Sequence, residues 1–278
     1  MIERTLISAD ALRALLASGQ PCVLLDCGFD LADPAAGARA HAQGHLPGAQ
    51  HADLERDLSA LKTGRNGRYP LPSREAFAAT LGRWGVRADT PVVCYDDQGS
   101  PYAARAWWML RWLGHDAVAV LDGGRAAWRA GGGSLETATP PVQSAPSYPL
   151  SATTMPTVPT DRLLGLLGKV TVLDARAGER FRGETEPFDP VAGHIPGARN
   201  RFHKDNLQAD GRFRSAAELR AAFAPFGEPT GCVHQCGSGV TACHNLLAME
   251  HAGLTGSALY PGSWSEWCAD PGRPIAKG

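Results

Sequence analysis

The residues Cys236-Gly237-Ser238-Gly239-Val240-Thr241 follow a short apolar run, GCVHQ, and precede a helical pattern that continues from Ala242 to His251 and stops at Gly253. This order sets a cysteine at the carboxyl end of a strand, the end at which parallel α/β sheets hold their ligands. Two glycines let the backbone curl so that successive amide N–H groups point inward, with a helix N-terminus behind them. Such a nest is an anion site. The same field stabilises a thiolate, so the loop reads as the environment of a nucleophilic cysteine. The competing reading is a structural cysteine ahead of a turn, but packing alone gives no reason for Gly-x-Gly there.

Other cysteine chemistries fit less well. A cysteine phosphatase needs an arginine six residues after its nucleophile to grip phosphoryl oxygens with both arms of the guanidinium. Ala242 stands there, and no arginine occurs between Arg220 and Arg273. Cys232, His234 and Cys236 alternate along one strand face, a spacing too regular for a tight tetrahedral zinc site, and no second ligand pair is nearby. Cys243 falls within the following helix and reads as a packed thiol.

The elements that must position Cys236 are legible as a repeat. VLLDC (Val23–Cys27) and GHLPGAQ (Gly44–Gln50) recur as VLDAR (Val172–Arg176) and GHIPGARN (Gly193–Asn200). The segment PVVCYDDQGSPYAARAWWMLRWLG is matched by GCVHQCGSGVTACHNLLAMEHAG, and Gly114 and Trp128 pair with Gly253 and Trp267 at an offset of 139. Shared blocks in the same order mean two copies of one domain. The spacing predicts a first domain over residues 1–135, a Pro/Ser/Thr-rich extended linker over 136–159, and a second domain over 160–278. Apolar runs with β-branched residues (VLLD, TVLDA, PVVCYD, GCVHQ) read as buried strands. The segments Ser73–Gly85 and Ser215–Gly227 read as capped helices, the second with a capping box to Glu218. The alternation predicts α/β domains, each with a mainly parallel sheet.

Composition narrows the class of function. Of 278 residues, 44% are apolar and 20% charged, which excludes a disordered chain. Lys+Arg (27) nearly balance Asp+Glu (28), and the balance holds on both sides of residue 140, so neither half is a nucleic-acid module. No apolar run nears the roughly 18 residues of a membrane span. The N-terminal residues read as a strand and a helix rather than a signal peptide. Seven cysteines, an odd number without an export signal, point to reduced thiols in the cytoplasm.

CGSGVTA, the two GH-x-PGA blocks, DAR ahead of RFRG, and the LDGG and YPGSW ends together resemble the tandem rhodanese-type sulfurtransferases over nearly the whole chain. The resemblance implies two rhodanese-like domains, the second catalytic and the first an inactive copy. By the offset of 139, Asp97 takes the place of Cys236 there. A CGSGVT loop is similar to those of 3-mercaptopyruvate sulfurtransferases, whereas thiosulfate-type members carry basic residues after the cysteine, as in Cys-Arg-Lys-Gly. The physics agrees, because thiosulfate is a dianion and mercaptopyruvate carries a single carboxylate.

The implied chemistry is double displacement through a Cys236 persulfide. The sulfur passes from a small-molecule donor to cyanide, a thiol or a thioredoxin-like protein, with no metal or organic cofactor. The resemblance makes Cys236 and Ser238 catalytic, and Gly237, Gly239, Val240 and Thr241 part of the substrate loop. Arg180, in GERFRG, matches the arginine that binds the donor's acid group. A second arginine is expected nine residues on; Asp189 stands there instead, and Arg182 is the candidate replacement. A proton relay from Ser238 to an acid and a histidine of the first copy maps onto Glu55 and Tyr69, and a tyrosine with a pKa near 10 is a poor base. His45 and His194 match turn-fixing positions. The alternatives are a thiosulfate:cyanide sulfurtransferase and a non-enzymatic sulfur-carrier or regulatory module.

Overall fold

Val23–Asp26 and Val92–Tyr95 are fully apolar but for their last residues, and they pair in parallel at the centre of a sheet. The computed structural model describes residues 4–141 and 144–278; Met1–Glu3 of the expected N-terminal strand and Val142 and Gln143 of the expected linker lie outside the described residues. The chain forms two units. One comprises Met1–Ser59, Pro72–Thr154 and Ala209–Phe213, the other Ala60–Leu71, Met155–Gln208 and Arg214–Gly278.

In the first unit β1 (Leu6–Ile7), β2 (Val23–Asp26), β3 (Gln50–His51), β4 (Val92–Tyr95) and β5 (Val118–Leu121) form an all-parallel sheet ordered β1-β5-β4-β2-β3. In the second, β6 (Thr171–Asp174), β7 (Arg199–Asn200), β8 (Cys232–Gln235) and β9 (Ala258–Leu259) follow the order β7-β6-β8-β9, again all parallel. Thr157 adds a parallel bridge to Leu259, the place that β1 holds beside β5, so the two sheets share one topology. Both domains are therefore α/β with helices flanking a parallel sheet, as the alternation of patterns requires.

The helices begin where their caps stand. Ser73 Oγ accepts the N–H of Ala76 at the start of Arg74–Arg83. Ser215 and Glu218 form the reciprocal capping box of Ala216–Phe223. Ile7, Leu12, Leu24, Val93 and Leu121 build the first core, and Val172, Ile195, Val233, Tyr260 and Trp264 the second. The repeated tryptophans do the same work in each copy. Trp128 Nε1–H donates to Ser134 O at 2.7 Å, and Trp267 Nε1–H to Pro274 O at 2.8 Å. The turn histidines are also alike, since His45 Nδ1 meets His41 O and His194 Nδ1 meets Phe181 O, each at 2.8 Å.

Strand register corrects one correspondence. Asp26 pairs with Tyr95 as Asp174 pairs with Gln235, so the residue after each central strand is Asp96 in one copy and Cys236 in the other. The offset at this point is 140, and Asp97 lies one residue beyond the equivalent position. It becomes 139 at Gly114 because Pro101–Trp112 is one residue longer than Thr241–His251. The Asp96 carboxylate accepts N–H bonds from Gln98, Ser100, Tyr102 and Ala103 at 2.7–2.9 Å. The first copy thus carries its own anion in the loop cradle.

Candidate active site

β8 ends at Gln235, and the helix Thr241–His251 starts five residues after Cys236. Cys236 is buried, and its sulfur accepts the N–H of Gly239 at 3.1 Å and of Ser238 at 3.4 Å. Both donors face inward, as the Gly-x-Gly reading anticipates. Val240, also buried, accepts the N–H of Cys243, and Thr241 opens the helix half-buried. Cys243 is fully buried and directs its thiol at Gly239 O, 3.4 Å away.

A second segment holds this loop from outside. Cys236 N–H donates to Ser263 Oγ at 3.1 Å, Trp264 N–H to Cys236 O at 2.9 Å, and Ser265 N–H to Gly237 O at 2.9 Å. Ser263 has φ +53°, a conformation that costs a non-glycine residue about 1–3 kcal/mol. Its hydroxyl, shared between Cys236 N–H and Tyr260 O, offsets that strain.

Guanidinium groups supply the positive charge. Arg176 grips Asp174 through Nε and Nη2 and reaches Glu186 through Nη1. Burial opposes its charge, but Asp174, Glu186 and Cys236 together raise its pKa. Arg180, on the single-turn helix Gly178–Phe181, binds Glu186 through Nε and Nη2 at 3.2 and 2.7 Å. A Cβ placed on Gly237 would stand 3.3 Å from Arg180 Nη2 and 2.9 Å from Nη2 of Arg68. The space that Gly237 leaves beside Cys236 is therefore faced by two guanidiniums.

Arg68 was not among the residues that the sequence singles out. It belongs to Ala60–Leu71, a piece of the first repeat that folds with the second unit, where its N–H donates to Ser265 Oγ at 3.0 Å. Its Nη1 pairs with Asp189, whose other oxygen lies 3.8 Å from Arg180 Nη2. Burial raises the Asp189 carboxyl above its ordinary pKa while Arg68 pulls it down. The Phe188 ring stacks against both guanidiniums, 5.3 Å from Arg68 and 5.0 Å from Arg180. The available signals were the adjacency of Arg68 to Tyr69 and the acids of EPFDP; neither reveals that residues 60–71 cross to the other unit.

Arg182 does not join this group. Its side chain is 49% exposed and binds Glu184 through Nε at 2.6 Å and Nη2 at 3.0 Å. The second guanidinium at the loop is Arg68, because a side chain two residues beyond Arg180 is turned away to the surface. Tyr69 is buried, with Lys62 Nζ 4.9 Å above its ring. Glu55 belongs to the first unit, where its N–H donates to Asp53 Oδ1. Cys232 directs its thiol at Glu228 O (3.5 Å), and His234 Nε2 faces Met249 Sδ (3.1 Å). Among the described residues no helix is long and apolar enough to cross a membrane.

Comparison with known proteins shows the family of the chain. The rhodanese-like domain family matches residues 8–131 and again 160–270. A probable 3-mercaptopyruvate sulfurtransferase of Pseudomonas aeruginosa is 47% identical, with 100% of both chains covered. A putative thiosulfate sulfurtransferase of Mycobacterium tuberculosis is 42% identical over 99% of this chain and 98% of its own. The solved structure of 3-mercaptopyruvate sulfurtransferase from Leishmania major superposes with a TM-score of 0.84 at 31% identity, covering 95% of this chain and 74% of that one.

Proposed function

This chain belongs to the rhodanese family, and from that membership we propose that its second repeat moves sulfur from 3-mercaptopyruvate to a thiophilic acceptor through a persulfide on Cys236. One observation carries the reading: the Cys236 sulfur sits on the N–H groups of Ser238 and Gly239, beside a space that Gly237 leaves open to Arg180. The relatives named above carry the names of sulfurtransferases for one or the other donor.

The donor carboxylate binds at the guanidinium of Arg180, which sets the donor thiol against Cys236. The Cys236 thiolate attacks the donor sulfur. An S–S bond forms and the C–S bond breaks, with its electron pair passing to the carbon as pyruvate enolate. The enolate takes up the proton lost from the donor thiol and leaves as pyruvate. The outer sulfur, held as an anionic persulfide by the N–H groups of the loop, is then attacked by cyanide, a small thiol or a thioredoxin-like protein, and the Cys236 thiolate returns.

The first copy, residues 1–135, is a non-catalytic partner in this reading, with residues 136–159 as the linker and 160–278 as the catalytic domain. Asp96 supports it: a carboxylate already occupies the cradle where the nucleophile would stand. Seven free thiols support action in the cytoplasm.

Thiosulfate is the second donor to consider, because the M. tuberculosis relative carries that name and two guanidiniums face the loop. Each guanidinium is backed by a buried carboxylate, which favours the donor with the smaller charge. Steady-state assays with both donors and cyanide test the choice. Mercaptopyruvate should have a kcat/KM at least about tenfold higher; the reverse order would assign thiosulfate. After donor treatment, mass spectrometry should find one added sulfur on Cys236, and Cys236→Ser should lose both the adduct and turnover.

A further inference from the structure

We propose that Arg68 is the second donor-binding residue of this site, with Asp189 as the residue that positions it. The arrangement is specific to where the chain places its charges. Nine residues beyond Arg180 the chain has an acid, Asp189, and that acid holds a guanidinium arriving from residues 60–71. Arg68 is fixed at three points: its N–H on Ser265 Oγ, its Nη1 on Asp189, and its plane against Phe188. Its Nη2 remains directed at the Gly237 position, 2.9 Å from where a Cβ would be.

Arg180 converges on the same point at 3.3 Å, and it too packs against the Phe188 ring. Two guanidiniums anchored by buried acids and meeting over one open position form a clamp for a planar carboxylate next to the nucleophile. Ser265 extends the arrangement, since it ties the Gly237 carbonyl and the Arg68 amide together and fixes the clamp relative to the loop. The clamp also accounts for the glycine at 237. A basic side chain there would project into two existing positive charges.

The assignment rests on Cys236 being the nucleophile, but it can be read without any sulfur donor. Iodoacetate and iodoacetamide both alkylate a thiolate, the sulfur displacing iodide as the C–S bond forms, and only iodoacetate carries a carboxylate. Removing Arg68 should lower the ratio of the iodoacetate rate to the iodoacetamide rate at Cys236 about tenfold, the effect of one charge-assisted contact. In turnover, the KM for mercaptopyruvate should rise by a similar factor, with kcat changed less than about twofold and the dependence on cyanide unaltered.

Arg68→Ala alone leaves the buried Asp189 carboxylate with only its 3.8 Å approach to Arg180 Nη2, so the decisive variant is the neutral pair Arg68→Gln/Asp189→Asn. If its alkylation ratio and KM match Arg68→Ala, the guanidinium grips the carboxylate itself. If both return to wild-type values, the single variant reported only the orphaned acid, and the assignment is overturned. A wild-type protein that shows the ratio effect but does not turn over mercaptopyruvate would remove the donor assignment and leave Arg68 as the carboxylate clamp.

Discussion

Gly239 and the carbonyl of Pro261 are in such close approach that a Cβ on Gly239 would lie 2.2 Å from the oxygen. Gly239 also has φ +77°, in the left-handed region, and it donates one of the two N–H bonds to the Cys236 sulfur. Gly239→Ala must therefore push the loop off Pro261 and turn that N–H away from the thiolate. Activity should fall at least about 100-fold, the cost of one lost oxyanion-type donor, and stability by about 2–3 kcal/mol from clash and strain. Urea unfolding and steady-state kinetics on the same preparation measure both. Near-wild-type kcat would contradict a cradle built on this amide.

Arg180 provides the second prediction. Its Nε and Nη2 are committed to the buried Glu186, so only part of the fork is left for a donor carboxylate. Arg180→Lys keeps the charge but cannot hold Glu186 with two parallel bonds while reaching over Gly237. We expect the KM for mercaptopyruvate to rise about 10–100-fold in Arg180→Lys, and further in Arg180→Ala, which leaves Glu186 to Arg176 and the N–H groups of Phe188 and Asp189. A KM unchanged in both would place donor binding elsewhere.

The parts of this site that were legible in the sequence are those made by local order. A strand, Cys236, two glycines and a helix lie within the twenty residues Cys232–His251, and their chemistry follows from backbone geometry. The repeat and the parallel sheets were legible for the same reason, since the central strands β2, β4, β6 and β8 announce themselves by apolar runs; the polar edge strands Gln50–His51 and Arg199–Asn200, and the strand order, do not. Arg68 was not legible. Its role depends on residues 60–71 leaving their own repeat, and no local pattern in LKTGRNGRYPLP encodes that crossing. Arg182 misled because spacing along the chain says nothing of which way a side chain turns after a single helical turn; it meets Glu184 at the surface. Asp96 was missed by one residue because a constant offset cannot register that the helix Pro101–Trp112 is one residue longer than its counterpart.

Asp96 gives the third prediction, a pH dependence of stability. Burial pushes its carboxyl up to about 6, against the four N–H bonds that favour its charge. A raised carboxyl pKa means that the folded chain binds the proton more tightly than the unfolded chain. The stabilisation is fully present below the unfolded value near pH 4 and is lost as pH rises through about 6. The two-unit shift corresponds to about 3 kcal/mol. The difference in unfolding free energy between wild type and Asp96→Asn should therefore fall by about that amount from pH 4 to pH 7. A difference that stays flat, or that grows with pH, would mean that the four N–H groups outweigh burial.

Asp189 sets the charge that a donor meets. It is a buried carboxylate paired with Arg68 and 3.8 Å from Arg180, so it offsets one positive charge of the clamp. At an effective dielectric near 20, a unit charge some 6 Å from the donor is worth about 2–3 kcal/mol, and exposure of the clamp to solvent cuts this by about half. Asp189→Asn keeps an oxygen for Arg68 but removes the charge. Thiosulfate, with two negative charges, then gains one more increment than mercaptopyruvate with one. The ratio of kcat/KM for thiosulfate to that for mercaptopyruvate should rise about tenfold in Asp189→Asn, equivalent to about 1.4 kcal/mol. The increase should shrink at high salt, because it is a charge effect at a partly open mouth. A ratio that is unmoved at low ionic strength would mean that Asp189 acts on the donor only through the position of Arg68.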